Sequence, residues 1–285
     1  MRLLVAESEP PAARDKRRAS VGRSAGETFR DLLLSLEPEA RIDRATPADA
    51  DADLPPGEAL EWYDAVFLSG SPLHVYQDTP EVSRELEFMR RVFASGTPSF
   101  GSCAGLQVAV AAAGGTVRPM GERREAGFAR RITATEAGRD HPLLAGRPAA
   151  WDAPAVHSDE VEALPEGAVL LARNGTTNVQ AAEIRMGPGV FWGVQYHPEI
   201  SLAEVAAALR RQTSDLVETG LARAAAEVEL QAALVDALAQ EPDRRDLLWR
   251  LGLDAEVADA ERRTLEIRNF LRHLVRPTMA ARGRA

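Results

Sequence analysis

The sequence predicts an α/β fold: a mostly parallel sheet flanked by helices, with an α-helical C-terminal extension. Three observations carry the expectation. Short apolar runs at residues 3–6, 65–68, 98–100, 169–172 and 190–195 alternate with amphipathic stretches, the pattern of strands joined by crossover helices. Gly101 and Gly105 bracket a junction where one such run gives way to an Ala-rich helical stretch. From Ser201 the texture changes, and nearly everything beyond it is rich in Ala, Leu, Arg and Glu.

Taken in order, residues 3–6 form the first strand, and the Ala/Asp/Pro segment 45–56 a loop before the strand at 65–68. Thr79-Pro80 is a helix start, with a hydroxyl cap and proline in the first turn. Val82, Leu86, Met89 and Phe93 then recur at helical spacing, and Gly96 is the stop. Ser201 and Glu204 have the spacing of a capping box opening the next helix. Later breaks are expected at Gly220, Pro242 and Gly252, and Pro277 is expected to stop the last helix. No repeat of fixed period is present. The chain is therefore divided near residue 212, into an α/β domain at 1–212 and a helical extension at 213–285.

Composition narrows the function. With 34 Lys+Arg against 43 Asp+Glu the net charge is −9, which argues against nucleic acid as a partner. No apolar run approaches the roughly 20 residues of a membrane helix, and the first residues lack a signal-peptide layout. A cytoplasmic location is the expectation. The single cysteine, Cys103, excludes an internal disulfide and a Cys-cluster metal site, and no His pair has zinc spacing. Lys16 is the only lysine and follows no glycine loop, so no phosphate-binding loop of the Gly-rich Lys-Ser/Thr kind is present. Neither metal nor cofactor is expected.

The chemistry concentrates in two segments. Phe100-Gly101-Ser102-Cys103-Ala104-Gly105 lies between a strand and a helix, the layout of a nucleophile elbow with sulfur in place of a hydroxyl. Such a turn sets the thiol near a helix N-terminus, which favours thiolate, and places the Ala104 N–H to stabilise an oxyanion. His197-Pro198-Glu199 ends the last strand. Residues two apart in an extended chain share a side, so Glu199 can orient His197 while its other nitrogen faces the thiol. A buried inert Cys or a surface His-Pro turn would explain either segment alone, but not the pair.

With these residues the sequence resembles the class I glutamine amidotransferases, the Cys-His-Glu type, and most closely their stand-alone GMP-synthase-like members. The resemblance covers about residues 1–212 and implies a class I amidotransferase fold with flavodoxin-like layering. It implies further roles. Leu68-Ser69-Gly70-Ser71-Pro72 matches the family's glycine loop, in which the Gly70 N–H completes the oxyanion hole. Gln107 matches a position contacting the bound glutamine, and Val156-His157-Ser158 the segment that clasps the substrate's amino-acid end. Ser102 departs from the family, which usually has an apolar residue there, and Glu125-Ala126-Gly127 echoes a family segment too loosely to carry a role.

The implied reaction is cleavage of the glutamine side-chain amide through a Cys103 γ-glutamyl thioester, giving glutamate and ammonia for a separate acceptor enzyme. A synthetase or ligase subunit would be the partner, since the 73 residues beyond 212 hold no pyrophosphatase motif. The alternative is a self-contained hydrolase of another γ-glutamyl amide. A non-catalytic scaffold is disfavoured by the intact Cys103, His197 and Glu199. His74 reads as a surface or site-entrance residue. In the extension, Leu265, Phe270, Leu271 and Leu274 either pack on the domain or form a docking or homo-oligomer surface.

Overall fold

The computed structural model describes residues 1–121 and 123–284. Its strands are β1 (Arg2–Ala6), β2 (Arg41–Ala45), β3 (Ala65–Leu68), β4 (Ser99–Ser102), β5 (Thr116–Pro119), β6 (Glu125–Ala134), β7 (Trp151–His157), β8 (Asp159–Ala163), β9 (Val169–Arg173), β10 (Ala181–Met186) and β11 (Gly189–Val194). Nine of them form one sheet in the order β2-β1-β3-β4-β11-β10-β9-β6-β7, while β5 and β8 pair apart. The run from β2 to β11 is parallel, as the alternating pattern predicts. Beyond β11 the pairings are antiparallel, and β6 and β7 carry too much polar sequence to announce themselves as apolar runs.

Register decides where the chemistry can sit. Leu68 pairs with Gly101, and Ser102 with Val194, so β3, β4 and β11 finish level with one another. Gly70, Cys103 and His197, each one to three residues past those ends, therefore meet at the carboxyl edge of the sheet, where open α/β sheets place ligands.

Local signals behave as read. Thr79 Oγ1 caps the helix Pro80–Ser95 by accepting from the Val82 N–H at 3.3 Å, and Gly96 ends it at φ 68°. Ser201 and Glu204 complete a reciprocal capping box on the helix Leu202–Arg211. Pro277 is the exception. Instead of stopping the helix it occupies the first turn of a further one, Arg276–Ala281, after a widened π turn at Leu271–Val275. A proline leaves the preceding turn without its usual i→i−4 donor, and widening the turn accommodates that loss.

Both faces of the sheet are covered. One buries Leu4, Val66, Phe88, Phe93, Leu106 and Phe191. On the other, Leu3, Phe29, Phe67 and Phe100 meet side chains from the helical extension. Phe270 is fully buried there, its ring centroid 5.4 Å from that of Phe67 and 5.5 Å from that of Phe100, and Leu271 is buried beside it. A third cluster joins Val205 and Leu209 to Val228, Val235 and Leu251 of the later helices, with Phe128 beneath.

A buried polar cluster fastens the extension to β11's end. The guanidinium of Arg147 is held by Glu266 at 2.6 Å and Glu256 at 2.7 Å, and Tyr196 donates to Glu266 at 2.8 Å. Arg147 is 2% and Glu266 0% exposed, and Arg147 is the ion-pair partner of Glu266 among the described residues, so removing the Arg147 charge strands Glu266 in a low-dielectric interior. Arg147→Met should cost about 3–5 kcal/mol of unfolding free energy. Urea denaturation followed by circular dichroism checks this, and a loss under about 1 kcal/mol would mean that the pair is not isolated from water.

Candidate active site

The turn at Cys103 is built from steric exclusion. Cys103 has φ 53° and ψ −113°, a conformation L-residues avoid, and it caps the helix Ala104–Ala112. The turn is possible because its neighbours lack side chains. A Cβ on Gly105 would lie 2.6 Å from the Leu68 carbonyl oxygen, and one on Gly101 2.7 Å from the Gly105 carbonyl carbon. The Cys103 N–H is held by the Val194 carbonyl at 2.9 Å, tying the turn to β11. The sulfur lies 4.0 Å from the Val156 carbonyl oxygen. Ala104 opens the helix, so its N–H is among those no intrahelical carbonyl can reach.

His197 closes the site from the neighbouring strand. Its N–H donates to the Pro154 carbonyl at 2.7 Å, and its Nδ1 lies 2.7 Å from Glu199 Oε1. Gly70 lies against the ring, where a Cβ would come within 2.7 Å of Cε1. Burial alone would lower the His197 pKa, but the charges of Glu199 and Cys103 and hydrogen bonds to both push it up to about 10. An imidazole held in this way carries a proton at neutral pH and can pass it to a leaving nitrogen beside the sulfur.

Ser102 acquires a contact that sequence alone did not suggest. It is fully buried, and its Oγ donates at 2.8 Å to Glu199 Oε1, the oxygen that also faces His197. The residue that departs from the family pattern thus reaches the carboxylate behind the histidine.

Two cavities flank the sulfur. One, of about 250 Å³, is bounded by Cys103, Gln107, Val156, His157, Ser158 and Asp159. The other, about 270 Å³, is bounded by Cys103, Gly70 and His197. Gln107 borders the first, but its amide nitrogen is engaged within the protein, donating to the Asp159 carbonyl and to Gln195 Oε1, each at 3.1 Å. The segment of Val156, His157 and Ser158 is the end of β7 and its tight turn into β8 rather than an open loop. Both ring nitrogens of His157 are occupied, Nε2 by Glu125 at 2.8 Å and Nδ1 by the Asp159 carbonyl at 3.0 Å.

Glu125, to which no role was given, is the hub of this wall. Besides His157 it accepts from Gln180 at 2.8 Å and Asn174 at 2.5 Å. Burial would raise its pKa, but the hydrogen bonds and the charge of His157 outweigh this and hold it below the usual carboxylate value. His74 takes the site-entrance place, its Nδ1 2.6 Å from Asp159 Oδ2. Arg124 and Asp215 pair on the same rim, the latter from the extension. No local pattern flags these residues, because each reaches the site only through strand pairing or the return of the helices. Among the described residues no group of three or more His, Cys, Asp or Glu side chains could hold a metal ion, and no helix is long and apolar enough to cross a membrane.

The fold and this elbow define a class of protein, and comparison with known proteins gives the family. Residues 28–213 match the family Glutamine amidotransferase class-I, and the chain belongs to it. It is 38% identical to a gamma-glutamyl-L-1-hydroxyisopropylamide hydrolase from a Pseudomonas species, over 98% of this chain and 94% of that protein. It is 36% identical to the glutamine-hydrolysing GMP synthase of Thermomicrobium roseum, over 48% of this chain and 23% of that one. Among solved structures, a glutamine amidotransferase from Thermotoga maritima superposes with a TM-score of 0.60 at 18% identity, covering 96% of this chain and 98% of that one. Another, from Methylobacillus flagellatus, gives 0.56 at 18% identity over 95% and 93%. These last two establish the fold.

The charge balance around His197 has a direct spectroscopic consequence. In an NMR titration of the free protein, the His197 ring should hold its proton from neutral pH up to about 10. Glu199→Gln removes the nearest raising charge and should bring the midpoint down by more than one unit. A wild-type midpoint near 6.5 would contradict this arrangement.

Proposed function

We propose that this chain is a self-contained hydrolase of γ-glutamyl amides of small amines, with Cys103 as nucleophile, His197 as acid and base, and Glu199 orienting the histidine. The observation that carries the reading is the extent of likeness: the hydrolase from Pseudomonas matches through the helical extension, whereas the GMP synthase shares about half of this chain.

The reaction follows from the placement of the groups. The Cys103 sulfur attacks the γ-carbonyl carbon, forming a C–S bond, while the N–H groups of Gly70 and Ala104 stabilise the oxyanion. His197 gives its proton to the nitrogen as the C–N bond breaks, and the free amine departs. Water then adds to the thioester, His197 takes its proton, and the C–S bond breaks to release glutamate. The γ-glutamyl end occupies the cavity beside Gln107, Val156, His157 and Ser158. There the guanidinium of Arg124 and the carboxylates of Asp215 and Asp159 offer partners to the α-carboxylate and α-ammonium groups.

The second reading, ammonia release from glutamine to a separate ligase, has the family membership in its favour. Assays of the purified chain separate the two. Turnover of γ-glutamyl-L-1-hydroxyisopropylamide at least ten-fold above glutamine in kcat/KM, with no partner added, is expected. Glutamine as the better substrate, hydrolysed only with a ligase present, would reverse the assignment. Cys103→Ala should lose at least about 10³-fold in kcat. Ser102 acts as a positioning residue through Glu199. Its loss should lower kcat about ten-fold, the scale of a hydrogen bond to a charged group, with KM unchanged. Ser102→Thr, which keeps the hydroxyl, should restore most of the rate lost in Ser102→Ala. Equal defects in both would make the hydroxyl irrelevant.

A further inference from the structure

The cavity on the His197 side of the sulfur is lined by cations whose purpose the hydrolysis of a simple amide does not explain. The leaving nitrogen must meet His197 to be protonated. Of the two cavities that touch Cys103, only the one of about 270 Å³ is also bounded by His197. The amine's substituent therefore projects into it, while the γ-glutamyl group lies on the other side. Ammonia needs about the space of one water, roughly 30 Å³, so this cavity has room for a substituted amine.

Its charges are unevenly matched. Lys16, Arg17 and Arg211 line it, together with Glu9, Glu199 and Glu204, of which Glu199 is engaged by His197 at 2.7 Å. Arg17 pairs with Glu204 at 3.0 Å, and its Nε is buried with no partner among the described residues. Arg211 donates to Ser20 Oγ at 2.6 Å, and neither it nor Lys16 makes an ion pair among the described residues. Glu9, 7% exposed, makes no ion pair among the described residues, and its Oε2 accepts from the Ala25 N–H at 2.9 Å. Outside the Arg17–Glu204 and His197–Glu199 pairs, two cations, Lys16 and Arg211, face one carboxylate, Glu9, and this excess of positive charge beside the point where the amine departs selects for an anionic group on that amine.

Building on the hydrolase reading, we infer that this cavity is the leaving-amine subsite and that its preferred occupant is a small amine bearing a carboxylate, so that the substrate class is γ-glutamyl amino acids. The carboxylate would lie between Arg211, Arg17 and Lys16. An amine with a hydroxyl would be held less strongly by the same donors, and an apolar amine would gain nothing from them.

The test compares three amides that differ only in the substituent: γ-glutamylglycine, γ-glutamylethanolamide and γ-glutamylethylamide, each with the full-length chain. The expected order of kcat/KM is glycine, ethanolamide, ethylamide, with at least ten-fold between the first and the last. Arg211→Gln should cut the glycine-to-ethylamide ratio by about ten-fold and Lys16→Met by a few-fold. Lys16 is exposed on its helix, so this variant keeps the test decisive should the Arg211 variant fail to fold. Ethylamide turnover equal to or above that of the glycine amide, or a ratio unmoved in the folded variants, overturns the subsite and leaves the hydrolase standing. No turnover of any γ-glutamyl amide, with Cys103 intact, overturns the hydrolase reading itself.

Discussion

The site depends on one close approach, that of the backbone at Gly105 to the carbonyl of Leu68. Strand β4 turns into its helix within a residue or two, and the turn lies directly against the end of β3. Any side chain at residue 105 would drive the two elements apart and lower the sulfur away from the sheet edge. The cost is a non-glycine residue at positive φ, a strain of order 1–3 kcal/mol that the surrounding structure has to offset. The offset is visible: the Cys103 N–H is bonded to Val194, and the helix that follows is buried along nearly its whole length. On the proposed reading, the same turn presents the first N–H groups of that helix to the reacting carbonyl.

The second constraint is register. Because β4 and β11 are parallel neighbours with Ser102 opposite Val194, the chain leaving β11 has few residues in which to bring a histidine beside the sulfur. It does so at His197, and Pro198 favours the extended backbone that lets Glu199 follow on the same side. Tyr196, immediately before, is locked by Glu266 in the buried cluster with Arg147. Burial and the neighbouring Glu266 charge hold its phenol well above the usual pKa, so it remains a neutral donor throughout the working range. The helical extension therefore reaches the residue next to the histidine, although it lies some seventy positions away along the chain.

These relations explain what could and could not be read from sequence. The parallel strands β1, β3, β4 and β11 were legible because each is a short apolar run, whereas the edge strand β2, polar and partly exposed, was not; the helices were legible because their caps are local. Cys103, His197 and Glu199 were legible as two motifs whose meeting follows from sheet topology. The antiparallel strands β6 and β7 were not, since their alternation is broken by Arg130, Arg131 and Asp152. Arg130 and Asp152 form an ion pair across the bulge between those strands. The role of Glu125 was hidden for a similar reason: its partners, at 157, 174 and 180, converge only after three strands have paired. Pro277 misled because a proline stops a helix only where the preceding turn cannot widen.

The two flanks of the sulfur are joined by a short run of residues. Arg211 borders one cavity, Asp215 the other, and Gln212 touches both. All three belong to the stretch where the Leu202–Arg211 helix gives way to the extension. Ammonia as a leaving group is about the size of water and fills little of the space on the departing side. A hydrolase of substituted amides must recognise both halves of its substrate, and the segment spanning 211–215 is positioned to sense both at once. On the proposed reading, substrate choice is therefore set less by the elbow and its histidine than by this junction, and the helices beyond it hold the junction against the sheet.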